Sequence, residues 1–439
     1  MPTHVFYPST MNPPALSVDD HATAHQEAWM LLELLPYIAD RENATTARCD
    51  SWNGKEIQVT VCSRRPPCVS YLCVHSPRDD LAAEPEIIAT DDDLILLRVT
   101  FGSPKDLLSH SNIKNIHYYV YQADDGDMGI LRYDKEYIVA GIVADLHGSL
   151  FSLYLYDSGT GQGGEDYWTT HTVSLNHEHQ QRYSSFDDDL GYYYFYHNTC
   201  KVLAIGGQDA TMAFVDLWRG ILFCDVRKLQ QQAACHARDE AIPILSFVPT
   251  PSSIDKDKVP RGDARLWRNI AVVDGRLKYV ELQLHWDPTL LSEGLYITDG
   301  WVAATFSRPT DISSSDNNGD SSWRQDCYID TKKNNFRNDP LLKLLPKASS
   351  YDCRKPALPL ERLHIRQPVL GLQEGADIIF FTAKVGRLSE NAWVVALDIR
   401  NKALVGVAAF SAARIVGIDF AYIQSRTSKY VKWDLQSIG

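Results

Sequence analysis

At 439 residues, with 44% hydrophobic and 23% charged residues, the chain can bury a large core and has the composition of an ordinary globular protein, which argues against wholesale disorder. Its formal net charge of −13 repels a phosphate backbone, and Arg64-Arg65 and Lys332-Lys333 are too small to form a basic patch, so nucleic acid is not an expected partner. No apolar run approaches the ~20 residues that span a bilayer, so no membrane is expected either.

Residues 1–28 read as a flexible N-terminal tail. Met1–Asp20 has no basic start and no apolar h-region, so no secretory signal is expected. The nine cysteines are scattered and include no CxxC pair. They read as reduced, buried thiols of a cytoplasmic or nuclear protein.

From Trp29 onward, strand-like runs follow one another. Trp29–Leu35 fits a buried strand or a short helix. Ile57–Ser63, Val69–His75, Glu86–Thr90, Leu94–Phe101 and Ile116–Gln122 follow, then Tyr137–Asp145, Leu150–Asp157 and Trp168–Leu175. Gly191–His197 and Lys201–Ile205 precede Ala213–Arg227, which reads as two apolar strands joined at Trp218-Arg219-Gly220. Asn269–Val273 and Leu277–Leu284 flank Asp274-Gly275, a two-residue hairpin signal. Further runs continue to Tyr422–Gln424, and Arg400-Asn401-Lys402 reads as another short turn. Helical periodicity is almost absent.

Many short strands punctuated by turns predict an all-β fold, β-propeller-like, with about six blades of antiparallel strands in a single domain over residues 29–435; stacked β-sandwiches are the alternative. Long loops are expected near 176–189, 309–322 and 331–367.

The candidate chemistry is thin. His177-Glu178-His179 has the two-apart spacing that shares a face on a strand, with Asp187 downstream as an oxygen donor, but the polar surroundings read as a solvated loop. His177, His179 and Asp187 are therefore candidate binding-loop residues and not an expected metal site. Asp145-Leu146-His147-Gly148 reads as a turn in which Asp145 caps backbone. The glycine-rich 159–164 lacks the G-K-[ST] ending of a phosphate loop. Leu31–Leu35 and Leu341–Leu345 fit L-x-x-L-L, with core packing the simpler reading. No catalytic residue, cofactor or metal is expected.

Asp216–Val226, D-L-W-R-G-I-L-F-C-D-V, followed by Leu245–Pro251, L-S-F-V-P-T-P, with Arg41–Ala47 upstream, resembles the plant family called domain of unknown function 1618. The resemblance implies no catalytic residue or cofactor. Relatives are similar to the propeller domains that follow F-boxes in ubiquitin-ligase adaptors, but residues 1–28 are too few for an F-box. Within the shared motif, Asp216, Trp218, Arg219, Gly220 and Asp225 read as structural: Trp218 packing between blades, Gly220 serving the turn, and Arg219 and Asp225 pairing or holding backbone. The expected function is a non-catalytic scaffold for protein partners of unknown identity. A ubiquitin-ligase subunit and an unrecognised propeller hydrolase or lectin are the alternatives.

Overall fold

The computed structural model of the protein describes residues 7–15, 29–50, 54, 56–76, 81–91, 94–102, 116–124, 132–133, 136–145, 150–158, 168–176, 179, 183–187, 192–206, 210–235, 242–255, 262–292, 295–310, 323–334, 336, 339–345, 359–373, 375, 377–385, 389–414, 421–426 and 432–438. Strands dominate these residues, as the aromatic and β-branched content favours.

The strands group into six units of four or more. In unit 1 the spatial order is Tyr422–Ser425, Met30–Glu33, Val69–His75, Glu56–Cys62 and Ala47–Asp50, with Tyr37–Ile38 beside Val69–His75. Unit 2 runs Glu86–Asp91, Leu94–Thr100, Ile116–Asp124 and Lys432–Ile438. Unit 3 runs Arg132–Tyr133, Glu136–Ala144, Leu150–Asp157 and Trp168–Leu175. Unit 4 runs Lys201–Gly206, Thr211–Asp216, Gly220–Asp225 and Ile244–Pro249. Unit 5 runs Arg268–Val273, Arg276–Ser292, Leu295–Pro309 and Arg324–Asp330, and unit 6 runs His364–Leu370, Ile378–Lys384, Asn391–Asp398 and Ala403–Ser411. Units 3 and 4 share one sheet, because Ser174 and Leu175 pair in parallel with Ile244 and Leu245. A ribbon of Ser185–Asp187 and Tyr192–Tyr194 stands apart.

Alternating side chains give each unit two faces, and successive units bury apolar residues of those faces against one another. Val59 and Val61 of unit 1 meet Ile95 and Leu97 of unit 2. Leu94, Leu96 and Val120 of unit 2 meet Val139 and Tyr156 of unit 3. Phe151, Leu153 and Leu155 of unit 3 meet Phe214 and Leu222 of unit 4, whose Val215 and Ile221 face Ile270 and Tyr279 of unit 5. Val280, Leu282 and Trp301 of unit 5 pack on Ile379 and Phe381 of unit 6, and Phe380 and Val394 of unit 6 pack on Trp29 and Leu31 of unit 1. The contacts thus return to their start.

Both chain ends enter that closure. Met30–Glu33 pairs antiparallel with Tyr422–Ser425, and Lys432–Ile438 pairs with Ile116–Asp124. The buried Arg414 guanidinium is ion-paired with Glu33, donates to the Pro36 carbonyl at 3.1 Å and lies 3.6 Å from the centre of the Tyr37 ring. Residues 7–15, read from sequence as part of a flexible tail, have defined positions: the Tyr7 amide and the Thr10 hydroxyl both donate to Glu84.

Several local readings hold. Asp274 and Gly275 have φ of 52° and 66°, the left-handed pair that a two-residue hairpin demands. Asp145 accepts from the Leu150 amide at 3.3 Å, and residues 146–149 of the expected turn lie outside the described ones. Within Trp29–Leu35, Met30–Glu33 forms a strand, with Leu31 and Leu32 fully buried. The main departure is Val226, read as the end of a strand, which instead opens the ten-residue helix Val226–Cys235. Lys, Gln and Ala supply its helix propensity. No helix among the described residues is long and apolar enough to cross a membrane.

Candidate functional site

Two interfaces between units differ sharply in how they are filled: that of units 4 and 5, and that of units 2 and 3. The first is organised by the turn at Asp216–Gly220. The Asp216 carboxylate, 2% exposed, accepts from the amides of Asn198 at 2.9 Å, Trp218 at 2.9 Å and Arg219 at 3.2 Å, and from the Arg219 guanidinium at 3.2 Å. One carboxylate therefore holds the whole turn, which explains an acid at its first position. Gly220 has no room for a side chain, since a Cβ there would lie 2.3 Å from the Phe247 ring and 2.5 Å from the Val248 carbonyl. The constraint is close approach and not backbone conformation.

Beyond the turn the contact reaches unit 5. The Arg268 guanidinium lies 4.6 Å from the centre of the Trp218 ring, donates to the Leu217 carbonyl at 3.1 Å and is ion-paired with the fully buried Glu281 at 3.3 Å. The Tyr279 hydroxyl donates to the same Leu217 carbonyl at 3.0 Å. Trp218 Nε1 donates to Gly262, so the indole is fixed at its polar end and packed on its face. Arg219 and Asp225, expected as a possible pair, do not meet. Arg219 is ion-paired with Asp216 and covers the Tyr196 ring at 4.3 Å, while Asp225 is ion-paired with Lys228 and accepts from Thr211. Arg219 precedes and Asp225 ends the strand Gly220–Asp225, whose length holds them apart. Burial pushes the nearby His197 imidazole down to about 4, with Asp216 opposing and Arg219 reinforcing the shift.

Polar bonds also link several of the units. Lys201 donates to the Ile270 carbonyl at 2.8 Å, Gln424 to Asn269 at 2.9 Å, Arg426 to the Val272 carbonyl at 3.1 Å and Thr90 to the Gln424 carbonyl at 3.3 Å. Burial pushes the Lys201 ammonium down to about 8.

The interface of units 2 and 3 is different. Unit 3 begins with a strand of only two residues, Arg132–Tyr133, so the first strand of unit 2 touches that of unit 4. Along this gap Ile88 is 42% exposed, and every residue of Lys201–Gly206 is half-buried. The face of unit 3 toward unit 2 is covered only where Val139 and Tyr156 pack; the next two rows are Gly141, Tyr154 and Thr170, and Val143, Ser152 and Thr172. Val143 is 57% and Tyr154 41% exposed, and Ile244, next to Ser174 on the joined edge, is 66% exposed. Thr170 and Thr172 are exposed beside them. These residues carry no charge. Such an array of apolar and hydroxyl groups on a sheet suits burial against another surface.

Of the binding-loop candidates, His177 lies outside the described residues. His179 is described and its ring lies 6.2 Å from that of Tyr183, and Asp187 sits in the ribbon, paired with Tyr192. The stretches 159–166 and 311–322 also lie outside them. Among the described residues no group of three His, Cys, Asp or Glu side chains gathers where it could hold a metal ion. The Val143–Tyr154–Ile244 face was missed by sequence reasoning. Its signal was present in Thr169–Ser174, where threonines occupy positions that a strand buried on both faces gives to Val and Ile.

Residues 214–379 match the family model described as "Protein of unknown function (DUF1618)". The match begins in the hairpin that carries the motif and supports the resemblance to that family. No curated protein matches the chain. Among solved structures the chain is similar to a levansucrase mutant of B. megaterium, at 10% identity and a TM-score of 0.19, covering 97% of this chain and 99% of that one.

Proposed function

We propose that the protein is a non-catalytic scaffold, a six-bladed propeller-like ring in which each unit is one blade, and that it binds a protein partner on the open face of the third blade. The ring reading is supported by the circular succession of packed faces and by the union of both chain ends in blades 1 and 2. The observation that carries the binding reading is the uncharged face of Val143, Tyr154, Thr170, Thr172 and Ile244, which stand exposed together on one sheet. Propellers recognise partners with groups held on a rigid frame, and this face stands on strands and not on loops.

Affinity purification of the tagged full chain, beside the double variant Tyr154→Asp and Ile244→Asp, tests the reading. A partner bound by the wild type and lost from the folded variant supports it. Partners retained in full by the variant contradict it. Ubiquitin-ligase core subunits among the lost partners place the scaffold in a ligase complex.

A further inference from the structure

A strand at the rim of a sheet presents unpaired amides and carbonyls, and folded chains guard such rims with charged side chains or by covering them. The outermost strand of unit 1, Ala47–Asp50, carries Arg48 and Asp50, and that of unit 2, Lys432–Ile438, carries Lys432 and Asp434. In unit 5, Arg324–Asp330 carries Arg324, Asp326 and Asp330. The outermost strands of units 3 and 4 pair with one another. Unit 6 departs from this pattern. Its outermost strand, Ala403–Ser411, runs for nine residues, A-L-V-G-V-A-A-F-S, without a charge or a proline.

The register shows which backbone groups this rim presents. The Ala412 amide donates to the Glu390 carbonyl at 2.7 Å, and Asn391 pairs with Ser411 and Val395 with Val407. Hydrogen-bonded and non-bonded pairs alternate along antiparallel strands. Ala408 and Phe410 therefore turn their amides and carbonyls to Asn391–Asp398, and Val407, Ala409 and Ser411 turn theirs outward. Near the start of the strand the Leu404 amide is met by the Asp339 carboxylate at 3.2 Å. From Val407 to Ser411 no described group meets the outward amides and carbonyls. Ala409 and Ser411 are exposed and Val407 is half-buried.

We propose that this rim is a homodimer interface, in which Ala403–Ser411 pairs antiparallel with the same strand of a second copy about a two-fold axis at Ala409. The strand's own sequence selects the second copy as occupant. About that axis Ala409 meets Ala409 and Val407 meets Ser411, each of these pairs exchanging both of its hydrogen bonds, and Ala408 meets Phe410. Small side chains fall at the axis, and Ala408 leaves room for the Phe410 ring, which lies 5.9 Å from the Tyr422 ring in its own chain. A two-fold axis sets each side chain near its own copy, so a charge in the strand would face its like; the strand has none. Pairing joins the four-stranded sheets of unit 6 from two copies into one continuous sheet.

The rest of the chain opposes association, since each copy carries a formal net charge of −13. That repulsion is long-ranged and screened by salt, whereas the backbone bonds and apolar contacts at the rim are not. The dimer is therefore expected to tighten as salt is raised, the reverse of an interface held by ion pairs.

Sedimentation velocity on the purified full chain, across protein and salt concentration, tests the proposal. The wild type is expected to form a dimer whose share rises with both. Ala409→Pro removes an outward amide and no bond to Asn391–Asp398, which a rim strand tolerates, and is expected to be folded and monomeric. Ala409→Lys sets two ammonium groups at the axis and is expected to be monomeric too. Tyr154→Asp with Ile244→Asp is expected to stay dimeric, which separates this rim from the open face of unit 3. Circular dichroism confirms that each variant is folded. Hydrogen exchange is expected to protect the Val407, Ala409 and Ser411 amides in the wild-type dimer and to leave those of Val407 and Ser411 open in Ala409→Pro. A wild type that stays monomeric at every concentration up to ~100 μM overturns the proposal. So does a dimer that survives both Ala409 variants, or one lost only in the Tyr154 and Ile244 variant.

Discussion

The interfaces of units 4 and 5 and of units 2 and 3 are built from the same kinds of strand and end in opposite states. At the first, Asp216 ties down the turn, Gly220 admits the Phe247 ring, and Arg268 bridges Trp218, Leu217 and Glu281 with little exposed surface. At the second, five side chains are buried and the next two rows of the sheet stand open. Substitutions at the first therefore act on folding. Substitutions in the open rows of the second are expected to leave folding nearly untouched. Long, distinctive motifs invite a functional reading, yet here the distinctive residues are the ones most committed to packing.

That contrast can be broken by measurement. Arg268→Met strands the buried Glu281 carboxylate, and loss of one partner from a buried pair costs about 3–5 kcal/mol. Its denaturant midpoint is expected to fall furthest, and an unchanged midpoint would remove Arg268 from the account. Gly220→Ala meets Phe247 and Val248 and is expected to cost about 3 kcal/mol, the upper end of overpacking. Asp216→Ala orphans buried amides at the turn and is expected to cost about 2 kcal/mol, with Asp216→Asn recovering part of it. Tyr154→Asp and Ile244→Asp, on the open face, are expected to shift stability by less than about 0.5 kcal/mol each, as exposed positions do.

Titration sharpens the same contrast. The folded state holds His197 at about 4 against an ordinary value of 6.5, so between those values the unfolded chain binds more protons. The stability His197 contributes is complete above pH 6.5 and is lost as the pH falls toward 4. Lys201, held at about 8 against 10.5, follows the same sign at higher pH, and its contribution grows as the pH rises from 8 to 10.5. His197→Gln is expected to flatten the acid limb of a stability–pH curve, and an unchanged limb would assign that loss to other groups.

The all-β class was legible because turns such as Asp274-Gly275 and Asp145 announce themselves through residues that accept left-handed or capped backbone. The hairpin around Gly220 was legible for the same reason. The helix Val226–Cys235 was not, because apolar periodicity over ten residues is weak when Gln230, Gln231 and Gln232 interrupt it. Nor was the open face. A strand that packs on one side and a strand that binds on the other share the same alternation, and only the three-dimensional arrangement shows that unit 2 leaves Tyr154 uncovered. The full role of Asp216 was hidden too, because its partner Asn198 lies eighteen residues upstream, outside the turn that Asp216 opens.

The central claim is that recognition belongs to the open face and not to the motif. The most direct measurement compares partners captured by the wild type, by Tyr154→Asp with Ile244→Asp, and by Arg219→Ala, normalised to folded protein. Arg219 is the exposed residue of the motif, with its side chain 45% accessible. The account predicts that the face variant loses the partners and that Arg219→Ala keeps them. Retention by the face variant together with loss on Arg219→Ala would contradict it and move the binding site to the motif turn.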